Sequence, residues 1–286
     1  IDLTVRTGEV LGILGPNGAG KTTTLEMIEG LTPADGGTVS VLGLDPFRDP
    51  NAVQQRIGIQ LQSSAYFEYL RLEELLETFG RLYTKRLDPL ELLARVGLEE
   101  KRRALVGELS GGQAQRFAIV AALVNDPDVV FLDEPTTGLD PQARRNLWDV
   151  ISSLSAEGRT VILTTHYMEE AEALADRVAV IDHGRIVAID TPTRLMDRYG
   201  SGTTVRFVTD RAIDAEALAA LPGVTDVASQ MNGHATHVLA VDAADAAVPA
   251  LYEWSGRTAT SITDLSIHRS TLEDVFLNLT GHRLRD

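Results

Sequence analysis

Apolar residues change their spacing several times along the chain, and each change marks a new element. The run Val10-Leu11-Gly12-Ile13-Leu14 has the length and uniform hydrophobicity of a strand buried on both faces. A glycine-rich turn follows, and residues 22–29 then read as a helix stopped by Gly30. The Asp35-Gly36-Gly37 turn leads into a short expected strand at 39–41, and another strand is expected at 58–61. Ahead of all of these, Ile1, Leu3 and Val5 alternate with polar residues. The chain is therefore expected to enter in mid-strand, truncated at its N-terminus.

Between 70 and 124 the period becomes helical, with Leu72, Leu75, Leu76 and Phe79 on one stripe and Phe117, Ala121 and Val124 on another. Strand-like runs at 129–132, 161–163 and 178–181 then alternate with helical ones at 141–154 and 168–175. Such alternation is the signature of a mainly parallel sheet covered by helices. His183-Gly184 reads as a hairpin turn before a strand at 186–189.

The small residues of Tyr199-Gly200-Ser201-Gly202 suggest a boundary. Beyond them the order is strand 204–208, helix 215–221, strands 224–229 and 236–241, helix 246–254, strand 261–267 and helix 272–279. This βαββαβ order with an added helix is that of a ferredoxin-like unit. The expected organisation is thus an α/β domain over 1–199, with a helical subdomain at about 63–125, and a small α+β domain over 203–286.

Composition narrows the chemistry. The 286 residues carry a net charge of −15, which argues against nucleic acid as a partner. There is no cysteine, so disulfides, thiolate metal sites and a cysteine nucleophile are excluded. No apolar run approaches the roughly 18–20 residues of a membrane helix.

Gly15-Pro16-Asn17-Gly18-Ala19-Gly20-Lys21-Thr22 fits G-x-x-x-x-G-K-[ST] between an expected strand and an expected helix. Glycines let the backbone amides of Asn17, Gly18, Ala19 and Gly20 wrap phosphates, and the amides of Lys21, Thr22 and Thr23 open the helix with positive potential. Lys21 has the reach for the β- and γ-phosphates, and Thr22 offers a hydroxyl to Mg²⁺. The strand 129–132 ends in Asp133-Glu134, at the carboxyl edge of a parallel sheet where ligands bind. Asp133 is the expected Mg²⁺ partner and Glu134 the expected base for an attacking water, although two acids before Pro135 also suit a plain turn. Ser110-Gly111-Gly112-Gln113 forms an S-x-x-Q capping box, and equally an anion site at a helix N-terminus.

Leu109-Ser110-Gly111-Gly112-Gln113 resembles the signature motif of ABC ATPases, and it lies between the two nucleotide motifs as in that family. The resemblance implies further roles: Gln62 as the Q-loop glutamine contacting Mg²⁺ and water, Asp140 in Gly138-Leu139-Asp140 as the D-loop, and His166 as the switch histidine beside Glu134. It also implies a phosphate-loop cassette that binds ATP with Mg²⁺, as a homodimer in which each phosphate loop faces the other copy's Ser110 and Gly112. The dimer would drive a separate transmembrane permease from the cytoplasmic face of the plasma membrane.

The aromatic residues Tyr66, Phe67 and Tyr69 suggest a docking face for that permease. No aromatic precedes Gly15 to stack on adenine, as the family's pattern would require. The ending Ser270-Thr271-Leu272-Glu273-Asp274-Val275-Phe276-Leu277-Asn278-Leu279-Thr280-Gly281 is similar to daunorubicin-resistance-type exporter ATPases, which implies export of a drug or other small hydrophobic compound. ABC ATPases acting on DNA or ribosomes typically carry coiled-coil arms or two linked cassettes, and neither fits this chain.

Overall fold

The computed structural model describes residues 1–61, 69–200, 202–232 and 234–282. Two compact units result, Ile1–Pro192 and a second beginning at Thr193.

The first unit is built on a six-stranded sheet. Its strands are β1 (Val10–Leu14), β2 (Ile57–Gln60), β3 (Val129–Asp133), β4 (Thr160–Thr165), β5 (Arg177–Asp182) and β6 (Arg185–Asp190), in the order β2-β3-β4-β1-β5-β6. The first five are parallel, and β6 returns antiparallel to β5 through the His183-Gly184 turn. Because the parallel strands are covered on both sides, every second residue serves a different core. Val10, Val130, Leu132, Val161 and Leu163 pack with α3 (Leu72–Gly80), α4 (Pro89–Arg95), α5 (Gly111–Ala121) and α6 (Pro141–Ala156). Leu11, Ile13, Phe131 and Ile162 point the other way, onto the side of α1 (Lys21–Glu29) and α2 (Pro50–Gln54). Each such fully buried side chain contributes roughly 1.5–3 kcal/mol, so this two-sided burial is the main support of the sheet. At Gly58 a β-carbon would meet the Ala122 carbonyl oxygen at 2.0 Å; only glycine lets β2 pass beneath the end of α5.

Two expectations fail here. Residues 39–41 form no strand, only an isolated bridge between Val41 and Leu44. Ile1 to Arg6 form no strand either, since no described strand offers them a ladder; Leu3 and Val5 instead lay half-buried side chains on the α1-side core. The expected helical stretch contains α3, α4 and α5, with two 3₁₀ turns, Glu99–Lys101 and Val106–Glu108, between α4 and α5.

After α7 (Met168–Leu174), which packs on β1, the junction of the units falls at the start of α8 (Pro192–Tyr199). Asn278 Nδ2 donates to the Tyr199 carbonyl at 2.8 Å and ties the end of that helix into the second unit. The rest of this unit runs β7 (Thr203–Thr209), α9 (Ala215–Ala219), β8 (Val224–Asn232), β9 (His234–Val241), α10 (Ala244–Thr258), β10 (Ile262–His268) and α11 (Leu272–Thr280). Its four strands pair antiparallel in the order β10-β7-β9-β8, the split-βαβ arrangement expected from the element order. Val205, Phe207, Leu239 and Val241 turn to a core closed by Leu218 and Leu251.

Candidate active site

The phosphate loop spans the gap between β1 and α1. Gly15 has no room for a side chain, because a β-carbon would lie 2.4 Å from the Ile181 carbonyl oxygen. Gly20 caps α1 with φ 100°, in the left-handed region that glycine occupies without strain. Gly184 N donates to the Ala19 carbonyl at 2.9 Å, so the β5–β6 turn steadies the loop. The first amides of α1, on Lys21, Thr22 and Thr23, have no helical acceptor, as at any helix start.

Lys21 is buried and its ammonium is held three ways. Nζ donates to the carbonyls of Gly15 (2.9 Å) and Pro16 (3.3 Å) and pairs with Glu134 Oε1 at 3.1 Å. Thr22 Oγ1 donates to Asp133 Oδ2 at 3.0 Å. Asp133 ends β3 in register with Thr164 of β4, whose hydroxyl donates to Asp133 Oδ1. The same Thr164 oxygen accepts from Glu134 N at 2.9 Å. One threonine thus orients both acids.

Glu134 sits at φ 48°, a conformation a glutamate adopts only when its surroundings hold it there. Oε2 accepts from Thr137 Oγ1 and lies against His166 Nδ1, each at 3.1 Å. Burial raises this carboxyl, but the Lys21 ammonium first, then His166 and Thr137, outweigh it and leave the group below its ordinary value. The carboxylate is therefore ionised at neutral pH, as a base must be. A threonine hydroxyl beside an aspartate is also a hard-oxygen donor pair of the kind Mg²⁺ takes, so the residues present fit that ion.

Of the residues singled out in the sequence, Lys21, Thr22, Asp133, Glu134 and His166 meet here. Ser110, Gly111, Gly112, Gln113 and Asp140 do not; they line a separate pocket with Gly138 and Leu139 to which the phosphate loop contributes nothing. Ser110 caps α5 in the expected box with Gln113, and Ser110 N donates to Gln113 Oε1 at 3.1 Å. Asp140 caps α6 by accepting from Gln142 N and Ala143 N, both at 2.9 Å. Gln62, Tyr66 and Phe67 lie outside the described residues. Sequence reasoning passed over Thr164 and Thr137; the signal for Thr164 was a hydroxyl at the end of an otherwise apolar strand.

A phosphate loop joined through Thr22 and Lys21 to two carboxylates on a parallel sheet defines a phosphate-loop nucleoside triphosphatase. The family model for ABC transporters matches residues 1–137. The chain is 41% identical over 292 residues to the daunorubicin/doxorubicin resistance ATP-binding protein DrrA of Streptomyces peucetius, covering 100% of this chain and 88% of that protein. It is 40% identical over 293 residues to the Nod factor export ATP-binding protein I of Burkholderia lata, covering 100% and 92%. Among solved structures, the dimeric post-hydrolysis state of the ATP-binding cassette MJ0796 bound to ADP and Pi matches with TM-score 0.60 and 27% identity over 67% of this chain and 88% of that one. The chain belongs to the ATP-binding proteins of ABC transporters, and it is an ATPase. No helix among the described residues is long and apolar enough to cross a membrane.

Proposed function

We infer that the chain works as a homodimer on the cytoplasmic face of the plasma membrane, hydrolysing Mg²⁺-ATP to drive export of a drug or other small hydrophobic compound through a separate permease. The observation that carries the dimer is the separation of the two half-sites: a ligand on the phosphate loop meets Ser110, Gly112 and Asp140 only if a second copy supplies them. The names of the relatives support export. The unit Ile1–Pro192 serves as the cassette and the unit from Thr193 as an accessory domain, a boundary that falls before the 199–203 read from the sequence. Tyr69, 88% exposed, supports a docking face for the permease, and the net charge of −15 argues against nucleic acid as a partner.

Asn17, Gly18, Ala19 and Gly20 hold the phosphates by backbone amides, together with Lys21, Thr22 and Thr23 at the helix start. Thr22, Asp133 and Gln62 would hold Mg²⁺, which when bound neutralises charge building on the β- and γ-phosphates. To reach those phosphates Lys21 must leave Glu134. The released carboxylate then takes the proton of an attacking water, with His166 Nδ1 keeping Oε2 in place.

Size-exclusion chromatography with ATP and Mg²⁺ tests the shared site. Glu134→Gln keeps the side-chain shape and removes the basic charge, so ATP accumulates unhydrolysed and the closed dimer with it. Adding Ser110→Arg returns the protein to monomers. A single variant that binds ATP yet stays monomeric, or a double variant that dimerises equally well, refutes the shared site.

A further inference from the structure

Behind the hydrolytic residues lies a buried polar junction that the site does not use. Glu170 of α7 is fully buried, and its Oε1 accepts from Trp148 Nε1 of α6 at 3.1 Å. Around its carboxylate stand Thr136, Thr165 and Arg144. Thr136 and Thr165 offer their hydroxyls to this carboxylate and Arg144 supplies a nearby positive charge, yet burial prevails and raises its pKa.

Arg144 lies one turn into α6, its amide donating to the Asp140 carbonyl at 3.0 Å, and Asp140 lines the signature pocket. The Arg144 guanidinium carbon stands 4.0 Å from the centroid of the Tyr167 ring. That ring in turn lies 4.1 Å, centroid to centroid, from the His166 imidazole, with the planes at 42°. His166 Nδ1 then touches Glu134 Oε2 at 3.1 Å. Thr165 Oγ1 pins the Tyr167 backbone by accepting from its amide at 2.9 Å, so the ring can answer to Arg144 while its main chain stays put. A path of one helix backbone bond and three side-chain contacts therefore runs from the edge of one half-site to the carboxylate of the other.

We propose that Arg144 and Tyr167 are positioning residues for hydrolysis: the guanidinium clamps the Tyr167 ring, the ring sets the His166 imidazole against Glu134, and a shift of α6 at its Asp140 end is felt at that carboxylate. The proposal rests on the reading that Glu134 and His166 act on the attacking water. Glu170, bonded to Trp148, ties α7 to the same helix that carries Arg144.

The test uses the full chain. Tyr167→Leu removes the ring, and Arg144→Gln removes the charge at a half-buried position while keeping a long polar side chain. Each lowers kcat by about tenfold, the scale of a partly desolvated cation–π contact, while ATP affinity stays within about twofold. Tyr167→Phe keeps the ring and recovers most of the rate. The double variant is no slower than either single, because the two act through one path. Without nucleotide, the ¹⁵N resonances of the His166 imidazole move in Tyr167→Leu and Arg144→Gln and stay in Tyr167→Phe, a signature that loss of bulk packing alone would not sort by ring. If His166→Ala is inactive but Tyr167→Leu turns over normally with unmoved His166 resonances, or if the two losses multiply in the double variant, the relay is wrong. If His166→Ala itself turns over normally, the hydrolytic reading fails and the relay with it.

Discussion

Lys21 Nζ and Glu134 Oε1 form a buried ion pair at 3.1 Å, so the phosphate-loop lysine neutralises the very carboxylate that hydrolysis needs. Lys21 is 5% exposed and Glu134 7%, and breaking a pair so placed strands a charge in the interior.

Lys21→Ala therefore does two things. It abolishes ATP hydrolysis, and it destabilises the fold by up to about 3–5 kcal/mol, the cost of leaving a buried charge unpaired. Urea denaturation at pH 7.5 shows the loss, and Lys21→Ala with Glu134→Gln regains most of it without regaining activity. A single variant as stable as wild type would show that Lys21 serves only the phosphates.

Thr164→Val tests the bridge between the two acids. The substitution is close to isosteric on a strand with no exposed neighbour, yet it strips a donor from Asp133 Oδ1 and an acceptor from the Glu134 amide. Stability should fall by roughly 1–3 kcal/mol, the cost of leaving buried polar groups unsatisfied. Turnover should fall by about tenfold or more while ATP still binds, since the phosphate loop is untouched. Denaturant titration alongside steady-state kinetics decides it.

Asp133→Asn should weaken Mg²⁺ far more than ATP. The carboxylate accepts from both Thr22 and Thr164, and the amide keeps the shape but halves the acceptor set and loses the charge. Isothermal titration of ATP with and without Mg²⁺ reads the difference; an unchanged Mg²⁺ dependence would move the ion elsewhere.

Glu29, at the end of α1, supplies a pH dependence. Burial first, then the nearby charges of Asp133 and Glu26, push its carboxyl up to about 7 from an ordinary 4.5. The folded state thus holds its proton more tightly than the unfolded state, and the associated stability is fully present below pH 4.5 and lost as pH rises through 7. The difference in thermal stability between wild type and Glu29→Gln should grow in favour of the variant from pH 5 to pH 8, by on the order of 3 kcal/mol. A pH-independent difference would mean that Glu29 stays ionised throughout.

Period and punctuation along the chain were enough for most elements. The buried run 10–14 became β1 with the same limits, Gly30 capped α1 as read, and the βαββαβ order gave the β10-β7-β9-β8 sheet. These succeeded because local spacing reports which faces are buried, and a glycine reports a left-handed turn, with little help from distant residues. Ile1–Val5 and 39–41 misled for the complementary reason: alternation describes a strand's faces, whereas a strand also needs a neighbour to complete its ladder. The phosphate loop and the order of the motifs were likewise legible, since each is a short stretch whose chemistry is contained in itself. Only the tertiary structure decided that Thr164 would join Asp133 to Glu134, that Lys21 would rest on Glu134, and that Arg144 would reach Tyr167. Those contacts join residues 23 to 113 positions apart, and it is the parallel register of β3 on β4 and β4 on β1 that carries them to one edge of the sheet, a pairing no local pattern encodes.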